Sequence, residues 1–207
     1  MPILTGVVAS ATRQGLATDT GAYFPLQVVT VGSAGASSIT FSNIPNTYTH
    51  LQMRMIARTT RTAAPVDNIS IQFNGDTGSN YYKAHYIAGS PASGGSGVIY
   101  DAEGTGTYTK AFRFTTDNSQ VTSPYMFGVA IVDILDANST NKNKTIRCFG
   151  GVEDNSSNVQ CGEVWFSSGM WFPASPAAIT SIVLASETGS TIKQFSQFAL
   201  YGIKAAS

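Results

Sequence analysis

Four residues able to do chemistry crowd into one short stretch, FNGDTGSNYYKAHYI, from Phe73 to Ile87: Asn74, Asp76, Asn80 and His85, beside Tyr81 and Tyr82. As a calcium loop the stretch offers side-chain oxygens at alternate positions. Its twelfth position, however, is His85, where such a loop needs a bidentate Glu, and no helices flank it. As a turn it needs nothing more. Asn-Gly and Asp-Thr-Gly supply left-handed backbone positions, and their side chains bond their own backbone. The expectation is a structural hairpin between the strands NISIQF and NYYKAHYI, with no metal.

Other catalytic constellations fail sooner. His50 and His85 each alternate with core positions on a strand, which suits exposed or hydrogen-bonded structural imidazoles. No G-x-S-x-G elbow nominates a serine nucleophile. Asp133 and Asp136 end a buried strand, and Glu153 and Asp154 sit at a turn, so neither pair is marked as the facing carboxylates of a glycosidase. The glycine-rich pieces GSAGASS and SGGSG lack the phosphate-loop Lys and its helix. No catalytic residue, cofactor or enzymatic activity is expected. Tyr81, Tyr82, Trp165 and Trp171 could build a sugar-stacking platform. Trp165 and Trp171 flank a turn-like SSGM and share strand parity, and packing in a core or subunit interface is the commoner fate of such residues.

Cysteine is limited to Cys148 and Cys161. A hairpin turning at Asp154-Asn155 would set the two opposite each other. They are expected to be adjacent thiols without a disulfide, because the N-terminus MPILTGVVASATRQGL lacks the basic start and apolar run of a signal peptide, and a reducing compartment keeps thiols reduced.

The rest of the composition sets the frame. The 207 residues carry twelve acidic and twelve basic side chains, for a net charge of zero. No Lys/Arg block exists to follow a phosphate backbone, so nucleic acid is not an expected partner. Nor is a membrane, since no segment approaches the ~18 consecutive apolar residues of a span. Hydroxyls and amides replace ions on this surface, as in a β-rich structural or adhesive domain.

The elements that must position these residues are strands. SSITF, HLQMRMIAR, NISIQF, YYKAHYI, TKAFRF, YMFGVAIVDIL, KTIRCFGGV, VQCGEVWFSSGMWF, ITSIVLAS and QFALYGI are rich in β-branched or aromatic residues and bounded by turn formers. YMFGVAIVDIL is apolar at both parities, which predicts a central strand. The pattern predicts an all-β fold, a β-sandwich of jelly-roll type over residues 23–207. Residues 1–22 read as an extended N-terminal arm outside it. Residues 88–107 read as a Gly/Ser-rich loop interrupted by a short VIY. The arm's few large side chains, Ile3, Leu4, Val7, Val8 and Leu16, with Arg13 as its side-chain cation, could lie along a neighbouring subunit as an added strand.

Three stretches in preserved order, ITFSNIPNTYTHLQMRMIAR, FNGDTGSNYYKAHYI and FSQFALYGIKA, resemble a group of tailed-bacteriophage virion proteins. That group shares an I-P-x-T-Y-T-H-L-Q strand entry, an F-N-G-D-T-G-x-N-Y turn and a terminal F-x-L-Y-G-I. The opening MPILTGVVASATRQG is also similar to N-termini in that group. The resemblance implies a non-enzymatic component of the virion exterior, made in the host cytoplasm and released by lysis. The expected role is a capsid decoration (cement) protein that binds the major capsid protein as a homo-oligomer, with a trimer favoured by the three-fold sites of a shell. The alternative is a tail or fibre module that recognises cell-surface glycan.

Overall fold

Strict alternation builds most of the strands. In HLQMRMIA, Leu51, Met53, Met55 and Ala57 turn to the core while Arg54 and Ile56 turn out. The computed structural model describes residues 22–88, 98–119, 121, 125–153 and 162–204. Twelve strands make up its regular structure: β1 (Tyr23–Thr30), β2 (Ser38–Phe41), β3 (His50–Ala57), β4 (Val66–Phe73), β5 (Tyr81–Ala88), β6 (Val98–Gly106), β7 (Thr109–Thr115), β8 (Gly128–Leu135), β9 (Lys144–Glu153), β10 (Gly162–Trp171), β11 (Ile182–Ser186) and β12 (Gln197–Ile203).

They form two antiparallel sheets, one of eight strands in the order β1-β12-β3-β8-β9-β10-β5-β6 and one of four in the order β2-β11-β4-β7. The small sheet covers the inner face of the large one. Phe41, Ile71, Phe73, Phe112 and Leu184 from the small sheet meet Met53, Val132, Ile146, Trp165 and Leu200 from the large one in a single core. The sheets approach closely where β7 crosses β9: a Cβ on Gly150 would lie 2.1 Å from the Phe112 ring, so only glycine fits there. Full burial of each large side chain contributes about 1.5–3 kcal/mol, and this core supplies most of the fold's cohesion.

The all-β sandwich is therefore what the chain builds. Its eight-plus-four partition does not by itself make it a jelly roll, which distributes eight strands over two sheets. Several sequence expectations need correction. YFPLQVVT, absent from the expected strands, forms edge strand β1, where the missing N–H of Pro25 is tolerated, and the register slips between Pro25 and Gln27. The stretch assigned to a loop after residue 88 contains the nine-residue edge strand β6, paired with β5. SSGM is no turn but the middle of β10. Strand β8 is central, as its sequence predicts, yet Val129 and Ile131 on its outer side are uncovered.

The Phe73–Ile87 hairpin is also absent, because β4 and β5 belong to different sheets. The turn itself forms. Asn74 and Gly75 both have positive φ, 53° and 69°, and the Asp76 N–H donates to the Phe73 carbonyl at 2.9 Å. Beyond it the chain crosses the core edge and joins the other sheet.

In the β9–β10 hairpin Glu153 pairs with Gly162 and Cys148 with Ser167, so Cys148 does not face Cys161 in the register that forms. The register follows from burial: Ser167, Gly169 and Trp171 must share the inner side with Trp165, and a one-residue slip would expel them all. Cys148 is a free thiol inside the core, with its acidity suppressed by burial. Cys161 lies outside the described residues, as do the whole of residues 1–21 of the arm and the loop at 89–97.

Candidate functional site

The crossing between the sheets is built from the residues that first suggested chemistry. One Asp76 oxygen accepts a bond from the Trp171 indole at 2.7 Å, and the other accepts the Gly78 N–H at 2.8 Å. The Asn80 amide bonds both oxygens, at 3.1 and 3.0 Å. Burial alone would raise the Asp76 pKa, but the bonds from Trp171, Asn80 and Gly78 together hold it below its ordinary value.

Asn74 reaches the other way. Its amide donates to the Ala178 carbonyl, and its oxygen accepts the N–H groups of Thr180 and Ser181 at 2.8 and 3.1 Å. The Tyr81 hydroxyl accepts the Phe73 N–H at 2.9 Å and donates to the Asp76 carbonyl, and burial raises its pKa. The side-chain oxygens of Asn74 and Asp76 are thus occupied by donors of the same chain, which makes this stretch a clasp joining β4, β5 and β10. His85 lies in β5 opposite Ser167.

Several other buried polar groups are also bonded within the chain. Asp67, fully buried, accepts bonds from the hydroxyls of Thr59, Ser186 and Thr188 at 2.8 to 3.4 Å. Arg113 bonds both Glu163 oxygens at 3.0 Å and lies 4.7 Å over the Trp165 ring. Burial pushes the Glu163 carboxyl up although Arg113 pulls it down. His50 accepts the Asp136 N–H at 2.9 Å, a structural imidazole. Among the described residues no three His, Cys, Asp or Glu side chains gather to hold a metal.

The aromatic platform is not on the surface. Tyr81, Trp165 and Trp171 are all in the core, and Phe73, Tyr81 and Trp171 pack ring on ring with centroids 5.5 to 6.5 Å apart. Of the four aromatics considered for glycan, only Tyr82 is exposed. The shared parity of Trp165 and Trp171 on β10 is real, but it points both rings inward.

What the molecule does expose is the outer side of the eight-stranded sheet. Cross-strand register aligns Val28, Ala199, Arg54, Ile131, Phe149 and Phe166 in one row across β1, β12, β3, β8, β9 and β10. The next row runs Gln197, Ile56, Val129, Gly151 and Val164. Exposure reaches 67% at Val28, 57% at Phe149 and 51% at both Val129 and Val164. With Ile56, Ile131 and Phe166 these side chains leave roughly 600 Å² of apolar surface open, the upper end of what single chains tolerate.

On the other side of the first row the surface turns polar. Tyr201, Gln52, Asp133, Arg147 and Ser168 form a third row, in which Gln52 donates to Asp133 at 2.8 Å. Arg54 folds over this row, donating to Gln52 and lying 5.6 Å from the Tyr201 ring centroid, so its charge turns away from the apolar rows. Between β1, β12, β3 and β8 the apolar surface dips into a shallow depression of about 340 Å³, lined by Val28, Arg54, Ile56, Val129, Ile131 and Gln197.

None of these residues was singled out from the sequence as a site. The signal was present, since β8, β9 and β10 carry apolar residues at both parities, but that pattern equally describes a strand buried on both sides. No protein-family model and no curated protein matches this chain. Its function must be read from these surfaces.

Proposed function

We propose that the chain is a non-enzymatic structural protein of a tailed-bacteriophage virion, acting as a capsid decoration protein that binds the shell and associates with copies of itself. The observation that carries this reading is the open apolar face of the large sheet, a patch at the top of the range found on single chains, where such patches are often functional. The resemblance of the strand entry at Ile44–Gln52, the clasp at Phe73–Tyr81 and the ending Phe198–Ile203 supplies the setting. Charge is scarce, as it is in interface cores. The polar constellations that might have served chemistry are spent inside the fold.

In this reading the arm grips the shell. Ile3, Leu4, Val7, Val8 and Leu16 supply its apolar contacts and Arg13 a charge for a capsid carboxylate, while the extended backbone adds main-chain bonds to an open strand edge. Deleting residues 1–22 should leave a soluble β domain that no longer decorates particles lacking their own copy.

The direct test is the position and copy number of the chain in purified particles, read from a stained gel against the major capsid protein and from a cryo-EM map. Copies distributed over the whole shell support the proposal. A few copies confined to the tail would transfer the protein to the attachment class, and absence from particles would refute a virion role.

A further inference from the structure

The open face has a shape as well as a chemistry. Phe149 and Phe166 are neighbours on β9 and β10 and project as a ridge. The depression lies on the opposite side of β8, over β1, β12 and β3, and is large enough to receive a phenyl ring. Strands are spaced about 4.8 Å apart, so ridge and depression sit at comparable distances from β8.

A two-fold axis through the outer side of β8 would bring the ridge of one copy over the depression of another, and the reverse. We propose that this face is the contact between two copies of this chain, packed sheet on sheet as an isologous dimer. The inference deepens the structural-protein reading and rests on it for its setting.

Three observations favour a second copy over another partner. First, knob and socket occur on one surface, which is the self-complementarity that an isologous contact requires. Second, the polar row at the margin carries both signs in adjacent strands, with Asp133 of β8 directly opposite Arg147 of β9, so the margin presents no single charge to a second copy. A partner of single charge would be repelled by one of them, whereas this chain has no net charge to oppose its own association.

Third, the area is right. About 600 Å² of apolar side chain with its polar margin approaches the ~800 Å² that each partner contributes to a standard interface. Aligned sheets pack this way inside a sandwich, about 10 Å apart with interdigitating side chains. A three-fold ring would instead need two different complementary patches, while the exposed Val and Ile side chains gather with Phe149 and Phe166 in two adjacent rows of one sheet, and Tyr125 and Phe195 lie apart from them.

The test uses the purified full chain. Sedimentation across a wide range of concentration should show a monomer–dimer equilibrium. Phe149→Ser, which removes the knob, and Val129→Lys, which puts a charge into the socket, should each weaken it about thirtyfold or more, the scale of a central interface residue. Both positions are exposed, so the circular-dichroism spectrum should not change. Hydroxyl-radical footprinting should find Phe166 protected in the wild-type dimer and open in both variants.

A monomer at every concentration, a trimer, or a dimer that survives both substitutions would overturn the inference. So would protection of Phe166 in a monomer, which would assign the face to the chain's own residues 1–21. These outcomes are separable from the particle test. A monomer found over the shell defeats self-association and leaves the shell-binding role standing, and a dimer absent from particles defeats the virion reading.

Discussion

The clasp at Phe73–Tyr81 and the outer face of the large sheet invert the usual division of labour. The clasp gathers Asp, Asn, Tyr and Trp, the residue types of a binding site, and turns them inward until their donors and acceptors bond one another. The outer face gathers Val, Ile and Phe, the residue types of a core, and leaves them in water. Polar groups close together in sequence satisfy each other most readily when the chain bends back on itself, so proximity alone is no sign of a ligand. Apolar groups brought together from six strands have no local partner to find, and their exposure can be relieved only from outside.

The sharpest way to break this comparison is through the clasp. Trp171→Ala removes both a core ring and the donor to Asp76, and it should cost about 3–5 kcal/mol in urea unfolding. A variant as stable as the wild type would mean that the crossing between sheets is held elsewhere. Asp76→Ala keeps the ring but strands its indole N–H with those of Gly78 and Asn80, an expected loss of about 2 kcal/mol. Calcium or EDTA should leave the melting temperature of the wild type unmoved, and a chelator-sensitive transition would revive the metal reading.

A smaller effect follows from pH. Because the folded Asp76 carboxyl titrates below its ordinary value of 3.8, its contribution is fully present above that pH and fades as the pH falls through the lower folded value. The stability gap between wild type and Asp76→Asn should therefore be constant near neutrality and narrow below 3.8. A gap that widened in acid would reverse the assigned direction.

The smallest change is expected on the other side of the comparison. Phe149→Ser, measured in dilute monomer, should cost no more than about 1 kcal/mol, since more than half of the residue is exposed and what it loses is its contact with its cross-strand neighbours Ile131 and Phe166. A loss as large as that of Trp171→Ala would show that the outer face is covered internally and would end the contrast.

Much of the fold was legible beforehand. Alternation in HLQMRMIA, the β-branched and aromatic runs, and the turn chemistry of Asn74-Gly75 depend on neighbours in sequence, and each survives in the structure. Edge strand β1 was not among the expected strands, and its sequence carries Pro25, which a strand tolerates only where its N–H side is unpaired, as the sheet order shows here. The Arg113–Glu163–Trp165 cluster was invisible, since β7 and β10 bring its members together from distant parts of the chain.

By itself, then, the sequence determined that this chain makes strands, where most of them lie, that Asn74-Gly75 turns left-handed and that the surface carries no net charge. Those are consequences of dihedral preference, period and composition, all local or additive. Which strands pair, and what covers each face, was decided only by the tertiary structure. Val129 and Ile131 alternate with Ala130 and Val132 along one strand, and all four are apolar. The four-stranded sheet covers one side of that strand and leaves the other open, because the chain has one small sheet with which to cover two faces of a larger one.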